Sequence, residues 1–134
     1  MREIKFRAWD EKSKKMYVDQ AISSGSYLNK YLKNPRDCIL LQYTGLKDKN
    51  DKEIYEGDII IFRHELDSMI IRDFEDPDVN TRIIGWDKEE ACFCFNWING
   101  KQQTSGSTFC KNNLSTIVEI IGNIYENPEL LEAK

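Results

Sequence analysis

The sequence predicts a mostly β domain: a small antiparallel barrel or strongly bent sheet, with an N-terminal hairpin and little helix. Three observations predict it. Apolar residues come in short runs, and some alternate with polar ones at period two, the pattern of a strand with one buried face. Polar, charge-rich turns separate these runs at short intervals. The pair Gly57-Asp58 leads into the β-branched run Ile59-Ile60-Ile61. There Gly permits a sharp bend, and Asp accepts backbone hydrogen bonds locally.

The elements follow in order. Ile4, Phe6 and Ala8 alternate with Lys5, Arg7 and Trp9, which reads as a half-buried strand over 4–9. Asp10 to Lys14 is a polar turn. Lys15 to Asp19, carrying Met16 and Val18, returns as the second strand of a hairpin. Over 20–37, Ser23 to Ser26 favour a loop, while Tyr27, Leu28, Tyr31 and Leu32 have helical spacing. A short helix ending before Pro35 is expected there. Cys38 to Thr44 is a strand, Leu46 to Lys52 a charged turn, and Glu53 to Tyr55 the returning partner. Strands are then expected over 58–63, 81–86, 91–97 and 116–125. Asp87 to Glu90 forms a turn, and a last short turn or helix starts at Asn127-Pro128. The expected core is Ile4, Phe6, Leu41, Ile60, Phe62, Ile84, Phe93, Phe95, Ile120 and Ile124.

At 134 residues the chain reads as a single domain, long enough to bury a core without disulfide or metal support. Residues 1–57 would form the N-terminal hairpin and an extended part. Residues 58–134 would form the barrel-like part, with a loop insertion at 64–80. The net charge is −4 and unevenly spread. Residues 1–60 hold 12 Lys/Arg against 10 Asp/Glu, and residues 61–134 hold 7 against 13. A broad phosphate-binding face shows a stronger basic excess, so nucleic acid is not the favoured partner. The N-terminal stretch has no apolar run of the signal-peptide kind, and no run is long enough to span a membrane. A cytoplasmic location follows as the expectation, with Cys38, Cys92, Cys94 and Cys110 as free thiols.

Candidate chemistry is sparse. Cys92 and Cys94 flank Phe93 on an expected strand, which puts both thiols on one face with Cα atoms roughly 6.5–7 Å apart. Zinc sites set paired cysteines on a turn, so core packing is the better reading, and no metal ligands are assigned. His64, the only histidine, has the chemistry of a general base, but no nucleophile motif or second histidine accompanies it. It reads as a surface residue. Asp73, Glu75, Asp76 and Asp78 form an acidic cluster. A calcium loop begun at Asp73 would need Gly where Asp78 stands and Glu where Ile84 stands. The same stretch carries Met69, Ile70, Ile71 and Phe74, apolar residues in an acidic setting. They are the candidate partner contacts. No phosphate-binding glycine loop occurs. Catalytic residues and cofactors are therefore expected to be none. The Phe93, Phe95 and Trp97 strand lacks the interleaved cations of a base-stacking face, which leaves core and interface packing.

Three segments carry a resemblance. They are Met1 to Asp10, then Gln42-Tyr43-Thr44-Gly45-Leu46-Lys47-Asp48 with Glu53-Ile54-Tyr55-Glu56-Gly57-Asp58, and finally Ile121 to Leu131 with the core Ile121-Gly122-Asn123-Ile124-Tyr125-Glu126-Asn127-Pro128. In order and spacing the chain resembles the YopX-like family of small phage and prophage proteins. Between Phe62 and Ile117 no segment contributes. The family commonly has Gly after Asn in the central turn, whereas here Asp51 follows Asn50. Both tolerate positive φ, so the turn is expected to survive with more strain. The resemblance implies a β-rich fold and brings no established activity. The expectation is a non-enzymatic interaction protein that binds a host or phage protein and self-associates as a homo-oligomer, with no membrane contact. The alternative is a nucleic-acid-associated accessory module in phage replication or gene control.

Overall fold

The computed structural model describes residues 3–18, 33, 36–62, 81–98 and 118–132. These residues form two four-stranded antiparallel sheets, one curled into a half-barrel, with almost no helix. The first sheet has β1 (Phe6–Asp10), β2 (Lys15–Val18), β3 (Cys38–Lys47) and β4 (Glu53–Tyr55), in the order β2-β1-β3-β4. The second has β5 (Asp58–Phe62), β6 (Thr81–Asp87), β7 (Cys92–Asn96) and β8 (Val118–Asn123), in the order β7-β6-β5-β8. A short 3-10 helix, Pro128–Leu131, follows β8. The chain passes between sheets at Glu56-Gly57.

Turn chemistry sets much of this. Asp10, Asp48, Asp87 and Asn123 each accept two backbone amides from the turn that follows them. The donors are Lys12 and Ser13, Asn50 and Lys52, Glu89 and Glu90, and Tyr125 and Glu126. A short oxygen-bearing side chain closes such turns because it reaches amides two to four residues on. All four are buried at the strand ends, so they also anchor the turn to the sheet. The β1–β2 and β6–β7 hairpins share one further device. The fourth residue after the aspartate, Lys14 or Ala91, stands at φ 54° or 51°. Asp51 in the β3–β4 turn also takes positive φ, at 66°. It is the position where the family's glycine is replaced, so the expected strain falls there.

The main core lies on the second sheet. Ile60, Ile84, Phe93, Phe95 and Val118 cluster with Ile54 from β4, and Leu46, Phe62 and Ile120 pack against them. Most of the expected core residues are in this group or are buried nearby, as Leu41 is. Ile4 corrects the expectation: it is 63% exposed and precedes β1, which starts at Phe6. β1 is not half-buried either. Arg7, Ala8, Trp9 and Asp10 are all buried, so both faces of this strand are covered. Alternation alone could not show that, because a buried cation and a buried indole count as the outward set in a period-two reading. β3 runs on to Lys47, past the expected turn start at Leu46. The register shifts between Tyr43 and Lys47, where Gly45 takes φ 87°. A bulge adds a residue and re-aims the side chains beyond it, and Leu46 joins the core cluster. Ala91 belongs to the turn before β7, and Ile124 to the turn after β8. The expected helix near Tyr27 and the 64–80 insertion lie outside the described residues.

Candidate functional site

The densest chemistry lies where β1, the β4–β5 connection and the turn after β8 meet. Gly57 is the pivot. Its φ is 83°, and a Cβ there would come within 3.0 Å of Tyr125 Cε2 and 3.6 Å of Ile124 Cγ1. Only glycine takes this conformation and close approach without strain. Gly57 N donates to Ile84 O at 2.8 Å, and Ile124 N donates to Gly57 O at 2.9 Å. One residue therefore ties the chain into β6 and the turn after β8.

Its neighbours bind the other way, into the first sheet. Arg7 Nη2 donates to Asp58 Oδ1 at 2.6 Å and to Glu56 O at 3.3 Å. The guanidinium stands 4.8 Å from the centre of the Tyr55 ring. Asp58 Oδ2 accepts the Tyr55 amide at 2.8 Å. Glu56 exchanges two bonds with Gln42: its amide donates to Gln42 O, and its Oε1 accepts Gln42 N. Trp9 stacks on Tyr125 with ring centroids 5.7 Å apart. Tyr43 and Tyr55 pack at 5.4 Å, and Lys5 Nζ reaches over the Tyr43 ring while bonding Glu53 at 2.8 Å.

A second staple lies nearby. Asp48 Oδ2 accepts Ile120 N at 3.0 Å, and Lys49 N donates to Val118 O at 2.8 Å. The central segment thus reaches β8 through Asp48 as well as β1 through Asp58.

The electrostatics follow from burial. Asp58 is pushed above the ordinary carboxylate range by desolvation, against the opposing pull of Arg7. Glu56 is pushed up by burial, partly offset by the Gln42 amide. Burial also raises the Tyr125 hydroxyl. Lys5 is held well above the usual lysine range by hydrogen bonds to Glu53 and Glu3. Raised carboxyls mark proton-transfer sites in many enzymes, but burial in a structural network raises them too. Here both carboxylates are engaged by backbone amides, and Trp9, Tyr55 and Asp58 are each at most 4% exposed. What the arrangement does chemically is hold two sheets in register.

The three segments that meet here are the ones that carry the family resemblance, and residues 5–132 match the family described as YopX protein. The chain belongs to the YopX family. Comparison with curated proteins found no match. Among solved structures, the crystal structure of protein EF1440 from Enterococcus faecalis is similar at a TM-score of 0.60 and 24% identity. The likeness covers 98% of this chain and 100% of that one. At that identity the likeness is one of fold. The family segments acquire a physical meaning: each contributes one side of the seam between the sheets.

The other residues singled out from sequence are dispersed. Cys38 is buried on β3 of the first sheet, Cys94 is buried on β7 of the second, and Cys92 beside it is half-buried. Burial raises the Cys94 thiol. Among the described residues, no group of three or more His, Cys, Asp or Glu is placed to hold a metal. Cys110, His64 and the acidic cluster Asp73 to Asp78 lie outside the described residues. So do Met69, Ile70, Ile71 and Phe74. Phe93 and Phe95 are core residues, and Trp97 stacks on the buried Arg82 guanidinium at 3.6 Å. Exposed large apolar side chains among the described residues are Ile4, Val18, Ile121 and Trp86, whose indole is 45% exposed and edge-on to Phe93 at 5.1 Å. Among those residues, no helix is long and apolar enough to cross a membrane.

Sequence reasoning missed Arg7 as the partner of Asp58. The available signal was an arginine flanked by Phe6 and Ala8, together with an aspartate whose Gly-Asp setting already marked it as structural.

Proposed function

We propose that this YopX-family chain is a non-enzymatic, phage- or prophage-encoded interaction protein that acts in the bacterial cytoplasm, binds a protein partner and self-associates. The observation that carries the reading is Trp86. An indole nearly half exposed on a sheet strand, braced by Phe93, has the form of an interface anchor. Ile121 on β8 of the same sheet, Val18 on β2 and Ile4 just ahead of β1 add further exposed apolar surface. Met69, Ile70, Ile71 and Phe74 are proposed to contribute from the 64–80 segment. The phage origin rests on the family resemblance.

The nucleic-acid reading is less well supported. On the strand weighed for base stacking, Phe93 and Phe95 are buried, and half-buried Trp97 is stacked on the Arg82 guanidinium. Several surface lysines are locally neutralised: Lys12 by Asp37, Lys14 by Glu11 and Lys47 by Asp51. Mass in solution and capture from host lysate test the proposal, with wild type compared to Trp86→Ser and to a Met69, Ile70, Ile71 triple serine variant. Association that weakens in either variant is expected. A monomer at micromolar concentration that captures no protein would overturn the reading, and tight salt-sensitive binding to single-stranded nucleic acid would replace it.

A further inference from the structure

The two sheets carry opposite surface charge. Among the described residues that are not buried, the part of the chain that builds the first sheet holds nine Lys or Arg against six Asp or Glu. The part that builds the second sheet and the closing 3-10 helix holds one against six. Topology gathers most of the acidic set at one end. β6 and β8 both run antiparallel to β5, with Ile83 opposite Ile59 and Asn123 opposite Asp58, so both strands leave the sheet at the end where β5 begins. There the β6–β7 turn exposes Glu89 and Glu90 around a single cation, Lys88. The segment after β8 exposes Glu126, Glu129 and Glu132. None of these five glutamates forms an ion pair among the described residues. Trp86 stands beside the turn, next to the last residue of β6 and 45% exposed.

The complement is carried by the same molecule. The β1–β2 hairpin exposes Lys12, Lys14 and Lys15. The Glu11 amide donates to Asp37 O at 2.8 Å, which sets exposed Arg36 beside that hairpin. Lys12 is offset by Asp37 and Lys14 by Glu11. Lys15 and Arg36 remain as the excess cations, and neither enters an ion pair among the described residues. Val18, at the end of β2, is 57% exposed and adds apolar surface to the hairpin.

An acidic end cannot pair with the same end of another copy, because like charges would face each other around the indole. We propose that the Trp86 end of one copy docks on the β1–β2 hairpin of a second copy. Trp86 is the apolar anchor, and Glu89 and Glu90 lie against Lys15 and Arg36. An exposed indole ringed by one sign of charge, meeting a surface of the other sign, gives a contact that is selective in orientation and sensitive to salt. Two excess cations are few for a phosphate-binding face, and a second copy supplies both surfaces without a further partner. The inference rests on the self-association reading and gives it a place and a polarity.

Charge reversal on the full chain tests it, read by sedimentation equilibrium. One variant carries Glu89→Lys with Glu90→Lys, the other Lys15→Glu with Arg36→Glu. All four side chains are exposed, so both variants should keep the wild-type melting midpoint to within about 2 °C. Each variant alone presents two surfaces of the same sign, and its self-association is expected to weaken about tenfold or more. An equimolar mixture of the two restores opposite signs at every contact and should associate about as tightly as the wild type. Wild-type association should itself weaken about tenfold between roughly 0.05 and 0.5 M sodium chloride. Variants that each associate as tightly as the wild type would overturn the inference and leave self-association standing. A mixture that stays as weak as its parts would do the same. A monomeric wild type would overturn both.

Discussion

On the second sheet, Ile60, Ile84, Phe93, Phe95 and Val118 pack against one another as hydrocarbon. On the first, the positions turned toward the seam are Lys5, Arg7, Trp9, Tyr43 and Tyr55, with cations over tyrosine rings and a buried ion pair to Asp58. The two regions belong to one fold but draw stability from different sources. Hydrocarbon burial scales with area and is indifferent to direction. The seam depends on direction, since each cation and carboxylate must find its partner or leave a buried charge unsatisfied. The hydrocarbon sheet therefore supplies bulk stability. The seam specifies how one sheet sits on the other and holds the carboxyls, Glu56 and Asp58, that burial pushes up.

Substitutions can break that comparison, beginning with the largest effect. Phe95→Ala empties the middle of the apolar cluster, where Phe95 also meets Phe62 edge-on at 5.4 Å. A loss of about 4 kcal/mol is expected from denaturant unfolding, with little change between acid and neutral pH. Arg7→Ala strips Asp58 of its cation. A loss of about 3 kcal/mol is expected near neutral pH, shrinking as the pH falls and Asp58 takes up a proton. If the two variants showed the same pH dependence, the proposed division between hydrocarbon core and polar seam would fail.

Gly57→Val should lower stability by about 2 kcal/mol, since a β-branched residue is forced to φ 83° with its Cβ against Tyr125. Trp9 fluorescence should change with it, because Tyr125 stacks on that indole. An unchanged melting midpoint would make Gly57 incidental. The smallest effect should have the opposite sign. Lys14 and Ala91 hold matching positive-φ positions in their hairpins. Lys14→Gly and Ala91→Gly should each raise stability, by up to about 1 kcal/mol, as the left-handed strain is relieved. A gain in one hairpin and not the other would show that the two turns differ despite their shared aspartate.

Much of the fold was legible because it is local. Period-two runs, charged turns and Gly57-Asp58 each act within a few residues, and the strand positions they imply agree with the sheets to within a few residues. The exceptions are instructive. Ile4 was expected in the core because it extends an alternating pattern, but the sheet begins at Phe6 and leaves it exposed. Leu46 reads as the start of a turn because five charges follow it by Lys52, yet the bulge at Gly45 carries the strand onward and aims Leu46 into the core. The seam was legible only as a set of family segments, because the contacts that close it, Arg7 to Asp58, Gly57 to Ile124 and Trp9 to Tyr125, link residues about 50 to 120 positions apart along the chain.

The sequence by itself determined the fold class, the family, the turn positions and the need for glycine at 57. Each rests on short-range sterics, hydrogen bonding within a turn, or the alternation of side chains along a strand. Tertiary structure decided which charges are buried. Arg7 and Asp58 look like two surface residues of opposite sign until β1 is laid against the β4–β5 connection. Their proximity then sets the cost of separating them. The upward pull on the half-buried Glu56 carboxyl likewise exists only in the folded chain, because desolvation is a property of the assembled surroundings and not of the residue.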